Sequence, residues 1–281
     1  MSSTQKHFRQ ITTLKQIKKT ATKEFISIIE NSYLKTDMIY EMMFAHFMTL
    51  SGLNILTVPL KRGSTIIRAR YTNRLTSFSK LSEVSYPKKE LITKFSRLNR
   101  PSQGWFYASE NEQTCLTEML PYWMDDSKKG DVISVTLGKW EIINDLELII
   151  IPDTNNINEL NQSVLNQISA LEIEFWDYIS SKFKTSTKHD GNIYEFTSAF
   201  GNALWLNTKN QNNKADGFIY SSVQSPKNLN IALCTQNVDS GDLIPVEFIE
   251  TQFLREDLTD FGLPTYTEIG ERKRGLIDLN H

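Results

Sequence analysis

RLNRPSQGWFYASENEQTCLTEMLPYW, residues 97–123, is the stretch that decides the fold predicted from this sequence. Residues 101–104 supply turn-forming Pro, Ser and Gly, and the WFYA run after them places alternate side chains on the two faces of a strand. Ser109 with Glu112 forms a capping-box pattern that begins a helix, and Pro121 is expected to end it because proline lacks an N–H. The stretch therefore predicts a strand, a turn, a second strand and a capped helix in succession.

Short β-like runs bounded by Gly, Pro, Asn or Asp recur along the rest of the chain. They lie at residues 64–71, 104–109, 131–137, 146–152, 217–223, 230–234 and 244–254. Apolar residues at helical spacing predict packed helices over 25–50, one long amphipathic helix over 157–183 and another helix over 194–206. Because no βαβ unit repeats, the pattern favours an α+β fold over a doubly wound sheet.

The composition excludes several classes of protein. Lys plus Arg is 31 and Asp plus Glu is 33, so the net charge of −2 gives no global basic field for nucleic acid. A basic arm over residues 1–22 and ERKR at 271–274 keep nucleic-acid binding only as a weaker alternative. The N-terminus has no signal-peptide core, and no apolar run reaches the length of about 18 residues that spans a bilayer. We therefore expect a cytoplasmic protein with no membrane partner.

Cofactor motifs are missing as well. The cysteines, Cys115 and Cys234, are far apart and form no C-x-x-C pair, which fits a reducing compartment. The four histidines show neither H-x-x-x-H nor H-E-x-x-H spacing, so we expect no metal centre. Neither G-x-G-x-x-G nor a P-loop is present, so a Rossmann site and a phosphate-cradling loop lack sequence support.

Three blocks of sequence, in this order, resemble the RES-domain family, which is named for Arg, Glu and Ser. An upstream RxR strand is matched by Arg68 and Arg70 in IIRARY. The second block places Arg97 ten residues before Tyr107 in FYAS, and a helix with Glu118 in CLTEM follows. Each block alone is a weak signal, but three in the family's order form a fairly specific one.

The third block is DGFIYSSVQSPKNLNIAL, residues 216–233. Family members often have Pro before the Ser of this block, whereas here Tyr220 is followed by two serines. We assign the family Ser to Ser222, with Ser221 as the alternative.

The resemblance implies a fold and an activity. The fold is similar to that of diphtheria-toxin-like ADP-ribosyltransferases, with a mixed β core and surrounding helices, and is expected over residues 56–281. Residues 1–55 lie outside the resemblance and are expected to form an N-terminal helical extension. Characterised members consume NAD by glycohydrolysis or phosphorolysis, with water or inorganic phosphate as acceptor. Many are toxins paired with a helix-turn-helix antitoxin protein.

The resemblance also implies roles for five residues. Glu118 would stabilise the oxocarbenium-like ribose, and Ser222 would orient Glu118 or the nicotinamide ribose. Arg97 would pair with the dinucleotide phosphates, with Arg68 as a second phosphate contact. Tyr107 would stack on the nicotinamide ring or hydrogen-bond a ribose hydroxyl. Arg97 is in addition the candidate ion-pair partner of Glu118.

Other interpretations stay open at this point. By residue type alone, Arg97 with Glu118 is a structural ion pair, Tyr107 a core aromatic and Ser222 a strand-end hydroxyl. Cys115 lies one helical turn before Glu118, but without a neighbouring His a nucleophilic role is a minor alternative. The functional alternatives are ADP-ribosyl transfer to a macromolecule and a catalytically silent module that binds a nucleotide or a partner.

Overall fold

A computed structural model of the protein describes most of the chain. The described residues are 9–10, 19–35, 37–50, 55–72, 78, 80–156, 158–185, 190–210, 214–225, 227–257 and 264–275. Most of the basic N-terminal arm lies outside them.

The described strands form one sheet of ten strands. They are β1 (Arg9–Gln10), β2 (Leu56–Leu60), β3 (Thr65–Thr72), β4 (Trp105–Ser109), β5 (Val132–Ile142), β6 (Leu146–Ile151), β7 (Gly217–Ser221), β8 (Leu229–Cys234), β9 (Leu243–Asp257) and β10 (Pro264–Gly275). Their order in the sheet is β1-β2-β6-β7-β8-β4-β3-β5-β9-β10. Only β6 and β7 run parallel, and every other neighbouring pair is antiparallel.

Helices surround this sheet. They are α1 (Lys19–Tyr33), α2 (Ile39–Met48), α3 (Leu81–Val84), α4 (Glu112–Asp126), α5 (Glu159–Leu165), α6 (Ala170–Lys184), α7 (Ile193–Asn210) and α8 (Thr235–Asp239), with one 3-10 turn at Lys89–Leu91. The mixed α+β class and the strands expected at the short β-like runs are confirmed. In the described part of the chain, no helix is both long and apolar enough to cross a membrane.

Three strands have no counterpart in the sequence prediction, namely β1, β2 and β10. β2 has only five residues and contains Pro59, which argues against a strand, and β10 is mostly polar and lacks the apolar alternation by which strands are recognised. β10 pairs with β9 and includes the ERKR run. Arg272 of that run is paired with Glu112 and Glu268, so much of its charge is already neutralised within the fold.

The single helix expected over 157–183 is wrong, because two helices, α5 and α6, occupy this segment. α6 begins with a capping box in which the Ser169 hydroxyl accepts the Glu172 N–H and the Glu172 carboxylate accepts the Ser169 N–H at 2.9 Å. Apolar residues keep their helical spacing across the break between α5 and α6, so the spacing does not reveal the break. Ile157, at the start of the expected helix, lies outside the described residues.

The strand expected before the turn is wrong, because residues 97–100 contribute only an isolated β-bridge from Arg100 to Gln103. The expected limits of the helix after β4 are wrong as well. Its N-cap is Asn111, whose side chain accepts the Thr114 N–H at 2.8 Å, whereas Ser109 ends β4 and donates to Asn230. Pro121 lies inside α4 and the helix continues to Asp126. Proline removes one helical hydrogen bond, but Leu120 and other apolar side chains stay buried against the sheet and hold the helix together.

The hydrophobic side chains form two cores. The larger core lies between the sheet and helices α1, α2, α5, α6 and α7, whereas the smaller one lies between α4 and strands β3, β5 and β9. α2 enters the larger core through Phe47, whose ring meets those of Phe196 and Phe200 at centroid distances of 5.4 and 5.0 Å. The N-terminal helices thus share the main core, and the boundary expected at residue 55 stays a prediction.

The seam between β7 and β8 offers a stability test. A Cβ on Gly217 would lie 2.2 Å from the Ala232 carbonyl oxygen, which belongs to a buried strand and cannot rotate away. We expect Gly217→Ala to lower the free energy of unfolding by about 1–3 kcal/mol or more, because the strand must shift. Denaturant unfolding monitored by circular dichroism measures this. Gly191→Ala, where a Cβ meets nothing within 4 Å, is the control. Equal stability of the two variants would contradict the packing described here.

Candidate functional site

A cleft opens where β3 and β4 diverge. These neighbouring strands pair only at Ile67 and Ser109. The cleft has a volume of about 490 Å³, within the range of sites that hold small molecules and cofactors. Side chains from β3, β4, α4, α7, β7 and β8 and from the segment before β4 line it. Among them are Arg97, Glu118 and Tyr194.

Glu118 is fixed through one of its two carboxylate oxygens. The Ser222 hydroxyl donates to Oε1 at 2.5 Å, and the backbone N–H groups of Val223 and Gln224 donate to the same oxygen at 2.8 and 3.4 Å. Among the described residues, Oε2 has no hydrogen-bond partner. Three donors on one oxygen orient the carboxylate and leave the other oxygen available to the cleft.

The expected ion pair between Arg97 and Glu118 is wrong. No oxygen of Glu118 lies within 4.0 Å of a nitrogen of Arg97, and Ser222 with the following backbone takes the place of the guanidinium. The loop after β7 can bind the Glu118 carboxylate because its backbone N–H groups point toward α4. Arg97 and Glu118 therefore remain separate charges in one cleft.

The loop that carries Ser222 is itself well fastened. The Ser222 hydroxyl accepts the Ser225 N–H at 3.0 Å, and the Ser222 N–H donates to the Asn228 carbonyl at 2.9 Å. The Asn228 side chain then donates to the Thr114 hydroxyl in the first turn of α4. Ser221, the alternative family Ser, instead accepts a hydrogen bond from Asn156 at 2.8 Å. The structure thus brings Ser222, rather than Ser221, to Glu118.

Arg97 is a buried cation with an unused donor. Its side chain is 8% exposed, and its Nη1 has no hydrogen-bond partner among the described residues. The guanidinium carbon lies 5.5 Å from the centre of the Tyr194 ring, in a cation–π arrangement. Burial works to lower the pKa of Arg97, but nearby phenols and Glu118 outweigh it and raise the pKa above its usual value. A buried, charged, unsatisfied donor is the group to which an anionic ligand would bind.

Tyr107 holds the turn on which Arg97 sits. Its phenol oxygen accepts the N–H of Leu98 at 2.8 Å and that of Asn99 at 3.2 Å, and it lies 3.3 Å from the Ser96 hydroxyl. Burial raises the pKa of Tyr107. The hydroxyl is therefore occupied by the protein, whereas the expected contact of Tyr107 with a ribose or a nicotinamide ring stays a prediction.

Helix α7 supports the same turn from a second direction. The Leu98 carbonyl accepts hydrogen bonds from the Ser198 hydroxyl at 3.2 Å and from the Asn202 amide at 3.1 Å. The Leu98 side chain packs against Gly201, where a Cβ would come within 2.2 Å of it. The sequence analysis missed these α7 residues, since a Ser, a Gly and an Asn on a buried helix face carry no motif.

Arg68 donates to backbone carbonyls of the protein, whereas the resemblance implies that it contacts a phosphate. Its Nε donates to the carbonyls of Val84 and Ser85 at 3.1 and 3.2 Å, and its Nη1 donates to the Tyr107 carbonyl at 2.6 Å. Burial, followed by the charge of Arg70, lowers the pKa of Arg68 to about 9. Although Arg68 also lines the cleft, its Nε is bound to carbonyls at the end of α3 and its Nη1 to a carbonyl of β4. Its phosphate contact stays a prediction.

Two tyrosines at the cleft were also missed. The hydroxyls of Tyr122 on α4 and Tyr194 on α7 lie 2.8 Å apart. Within the described residues this is the only hydrogen bond that joins α4 to α7. Because Tyr194 also faces Arg97, the pair links the helix of Glu118 to the surroundings of the guanidinium.

Cys115 and metal chemistry gain no support from the structure. Cys115 is buried, its thiol faces the Ile67 carbonyl, and burial raises the pKa of the thiol to about 12, which disfavours a nucleophilic thiolate. The described part of the chain contains no group of three or more His, Cys, Asp or Glu side chains able to hold a metal ion.

Comparison with family models gives one match. The model of the RES domain matches residues 67–256, and the chain therefore belongs to the RES-domain family. The match confirms the family predicted from the three blocks and includes all five of the site residues named from them. Its first residue lies beyond α2, so the N-terminal helices are outside it. A comparison with curated proteins found no match.

The role of the Tyr107 hydroxyl can be tested through stability. We expect Tyr107→Phe to lower the free energy of unfolding by about 1–3 kcal/mol, because the N–H groups of Leu98 and Asn99 lose their acceptor. Denaturant titration measures this. Tyr220→Phe in the same cleft is the control, since the Tyr220 hydroxyl makes no hydrogen bond to any described residue. If Tyr107→Phe proved as stable as Tyr220→Phe, the turn would not depend on this hydroxyl.

Proposed function

We propose that this protein is an NAD-consuming enzyme that cleaves the nicotinamide–ribose bond and uses phosphate or water as acceptor. The observation that carries the proposal is the arrangement of Glu118, whose Oε1 is held by Ser222 while Oε2 is left to the cleft. Membership of the RES-domain family supports the substrate. We further propose that the enzyme acts as a toxin in the cytoplasm and that a helix-turn-helix antitoxin restrains it.

The carboxylate acts on charge that develops during bond cleavage. As the bond between the ribose carbon and the nicotinamide nitrogen breaks, the electron pair leaves with nicotinamide and the ribose becomes oxocarbenium-like. The negative charge of Glu118 Oε2 stabilises this cation. Water or phosphate then attacks the ribose carbon; water loses its proton to solvent and gives ADP-ribose, whereas phosphate gives a ribosyl phosphate. Ser222 keeps the carboxylate oriented in each step.

The guanidinium serves binding rather than bond cleavage. The unpartnered Nη1 of Arg97 is a donor for a phosphate oxygen of the dinucleotide, and its burial strengthens the electrostatic attraction. Tyr107 and α7 fix the turn of Arg97 before the substrate arrives, so little ordering is required on binding. Arg97 thus anchors the pyrophosphate while Glu118 faces the ribose.

The test of the reaction uses purified protein and NAD, with and without inorganic phosphate. Nicotinamide release and the ribosyl product are followed by mass spectrometry. We expect wild-type protein to release nicotinamide and Glu118→Gln to reduce kcat by about 10²–10³-fold, since the transition-state charge loses its counter-charge. Glu112→Gln, on the same helix but paired with Arg272 at the surface, should keep the wild-type rate.

The outcomes separate the candidate activities. Free ADP-ribose would identify a glycohydrolase, and a ribosyl phosphate formed only with phosphate would identify a phosphorylase. If folded wild-type protein released no nicotinamide under either condition, cleavage of NAD to these acceptors would be contradicted. Adding a cell lysate with labelled NAD then tests ADP-ribosyl transfer to a macromolecule. If no macromolecule became labelled, the remaining alternative would be a catalytically silent binding module.

Ser222 is expected to act through Glu118. Ser222→Ala removes the hydroxyl donor to Oε1 but leaves the backbone N–H groups of Val223 and Gln224, so we expect a fall in kcat of about tenfold, smaller than that of Glu118→Gln. Steady-state kinetics of nicotinamide release measure this. Ser221→Ala, which removes only the contact with Asn156, should leave kcat nearly unchanged. A larger effect at Ser221 than at Ser222 would overturn the assignment.

A further inference from the structure

Helix α2 reaches the turn of Arg97, although it lies outside the region that matches the RES domain. The ring of Tyr40 lies 5.2 Å from that of Phe95, and the Arg100 guanidinium carbon lies 5.9 Å from the centre of the Tyr40 ring. Phe95 is two residues before Arg97 and Arg100 is three residues after it. A single side chain from the N-terminal helices therefore contacts both ends of the segment that presents the guanidinium.

The contact of Tyr40 is made by its ring. Tyr40 is 7% exposed, and its buried hydroxyl makes no hydrogen bond within 3.5 Å to the described residues. Burial raises the pKa of Tyr40, and the nearby Arg100 guanidinium opposes that rise. Phe44, one turn further along α2, stacks on the Tyr40 ring with an interplanar angle of 18°. Dispersion with Phe95 and the cation–π contact with Arg100 are thus what Tyr40 supplies.

The turn of Arg97 then has supports from three elements. β4 supplies the Tyr107 hydroxyl for the backbone N–H groups, and α7 supplies Ser198 and Asn202 for the Leu98 carbonyl. Both of these supports hold the backbone near Leu98. The Tyr40 ring adds contacts to the flanking side chains of Phe95 and Arg100. Arg100 is also held by a hydrogen bond to Gln103, whereas the Phe95 ring makes no hydrogen bond and depends on packing alone.

We propose that Tyr40 is a positioning residue for Arg97, so that the N-terminal helices form part of the substrate-binding apparatus of this protein. A buried guanidinium with an unsatisfied donor gains hydration by moving outward, and packing of the flanking residues opposes that movement. The proposal rests on the proposed function for its kinetic test only. Its structural test concerns the order of the turn and needs no substrate.

The experiment uses the full chain and three variants. Tyr40→Leu removes the aromatic face, whereas Tyr40→Phe keeps it and loses only the unpartnered hydroxyl. Phe25→Leu is the matched control, because Phe25 on α1 packs on Phe47 of α2 and Phe175 of α6 and makes no ring contact with the Arg97 turn. Unfolding free energies are measured for all three, so that loss of general packing is known.

Hydrogen exchange followed by mass spectrometry measures how well the backbone of the Arg97 turn is ordered. We expect amide exchange over residues 94–100 to become about tenfold faster in Tyr40→Leu and to stay at the wild-type rate in Tyr40→Phe and in Phe25→Leu. If Phe25→Leu accelerates this segment as much as Tyr40→Leu does at equal loss of stability, Tyr40 is a structural residue only and the proposal is overturned.

Kinetics provide the second readout. We expect Tyr40→Leu to raise KM for NAD about tenfold with kcat changed less than about threefold, because binding through Arg97 weakens while Glu118 is untouched. Tyr40→Phe should restore the wild-type KM. An unchanged KM with an accelerated turn would overturn the link to substrate binding. Absence of nicotinamide release from wild-type protein would instead contradict the proposed function, and the exchange result would still decide whether Tyr40 orders the turn.

Discussion

Arg68 connects strands β3 and β4, which are joined by very few backbone hydrogen bonds. β3 and β4 share one pair of residues, and beyond it the strands diverge. The Arg68 guanidinium crosses this gap to the Tyr107 carbonyl and is bound on its other side to the carbonyls of Val84 and Ser85. Five fixed donors on a planar group can satisfy carbonyls that a regular ladder would have paired. The cleft exists because the strands part, and Arg68 supplies a hydrogen bond where they do.

The gap between β3 and β4 explains how Glu118 and Arg97 are held apart. α4, with Glu118, packs on β3, β5 and β9, whereas the turn of Arg97 is bound to β4 and α7. The Glu118 carboxylate nevertheless reaches over to the loop after β7, where Ser222 and two amides bind it. Glu118 and Arg97 therefore do not form an ion pair with each other, and each interacts with other groups of the protein. Both keep an unpartnered atom for a ligand.

Most of the sheet could be predicted from the sequence, because strands β3 to β9 contain alternating or continuous apolar residues, whereas β1, β2 and β10 carry weaker signals. The family blocks predicted Arg97, Glu118 and Ser222; the structure places Arg97 and Glu118 in one cleft and Ser222 against the Glu118 carboxylate. What failed was local: Asn111 rather than Ser109 caps α4, and Pro121 sits inside the helix. Capping depends on backbone geometry that residue spacing does not fix, and burial against the sheet outweighs one lost hydrogen bond. The partner of Glu118 and the contacts of Tyr40 are long-range, and no local pattern encodes them.

The outer strand of the sheet has a consequence for the protein in crowded solution. β10 follows β9 with a register shift between Ile269 and Lys273, beside Gly270 in the left-handed region at φ +77. A long flat strand at this edge would offer free backbone groups to another chain and invite sheet-to-sheet association. The irregular register and the charge of Lys273 interrupt that template. Self-assembly by strand addition is thereby discouraged at the β10 edge.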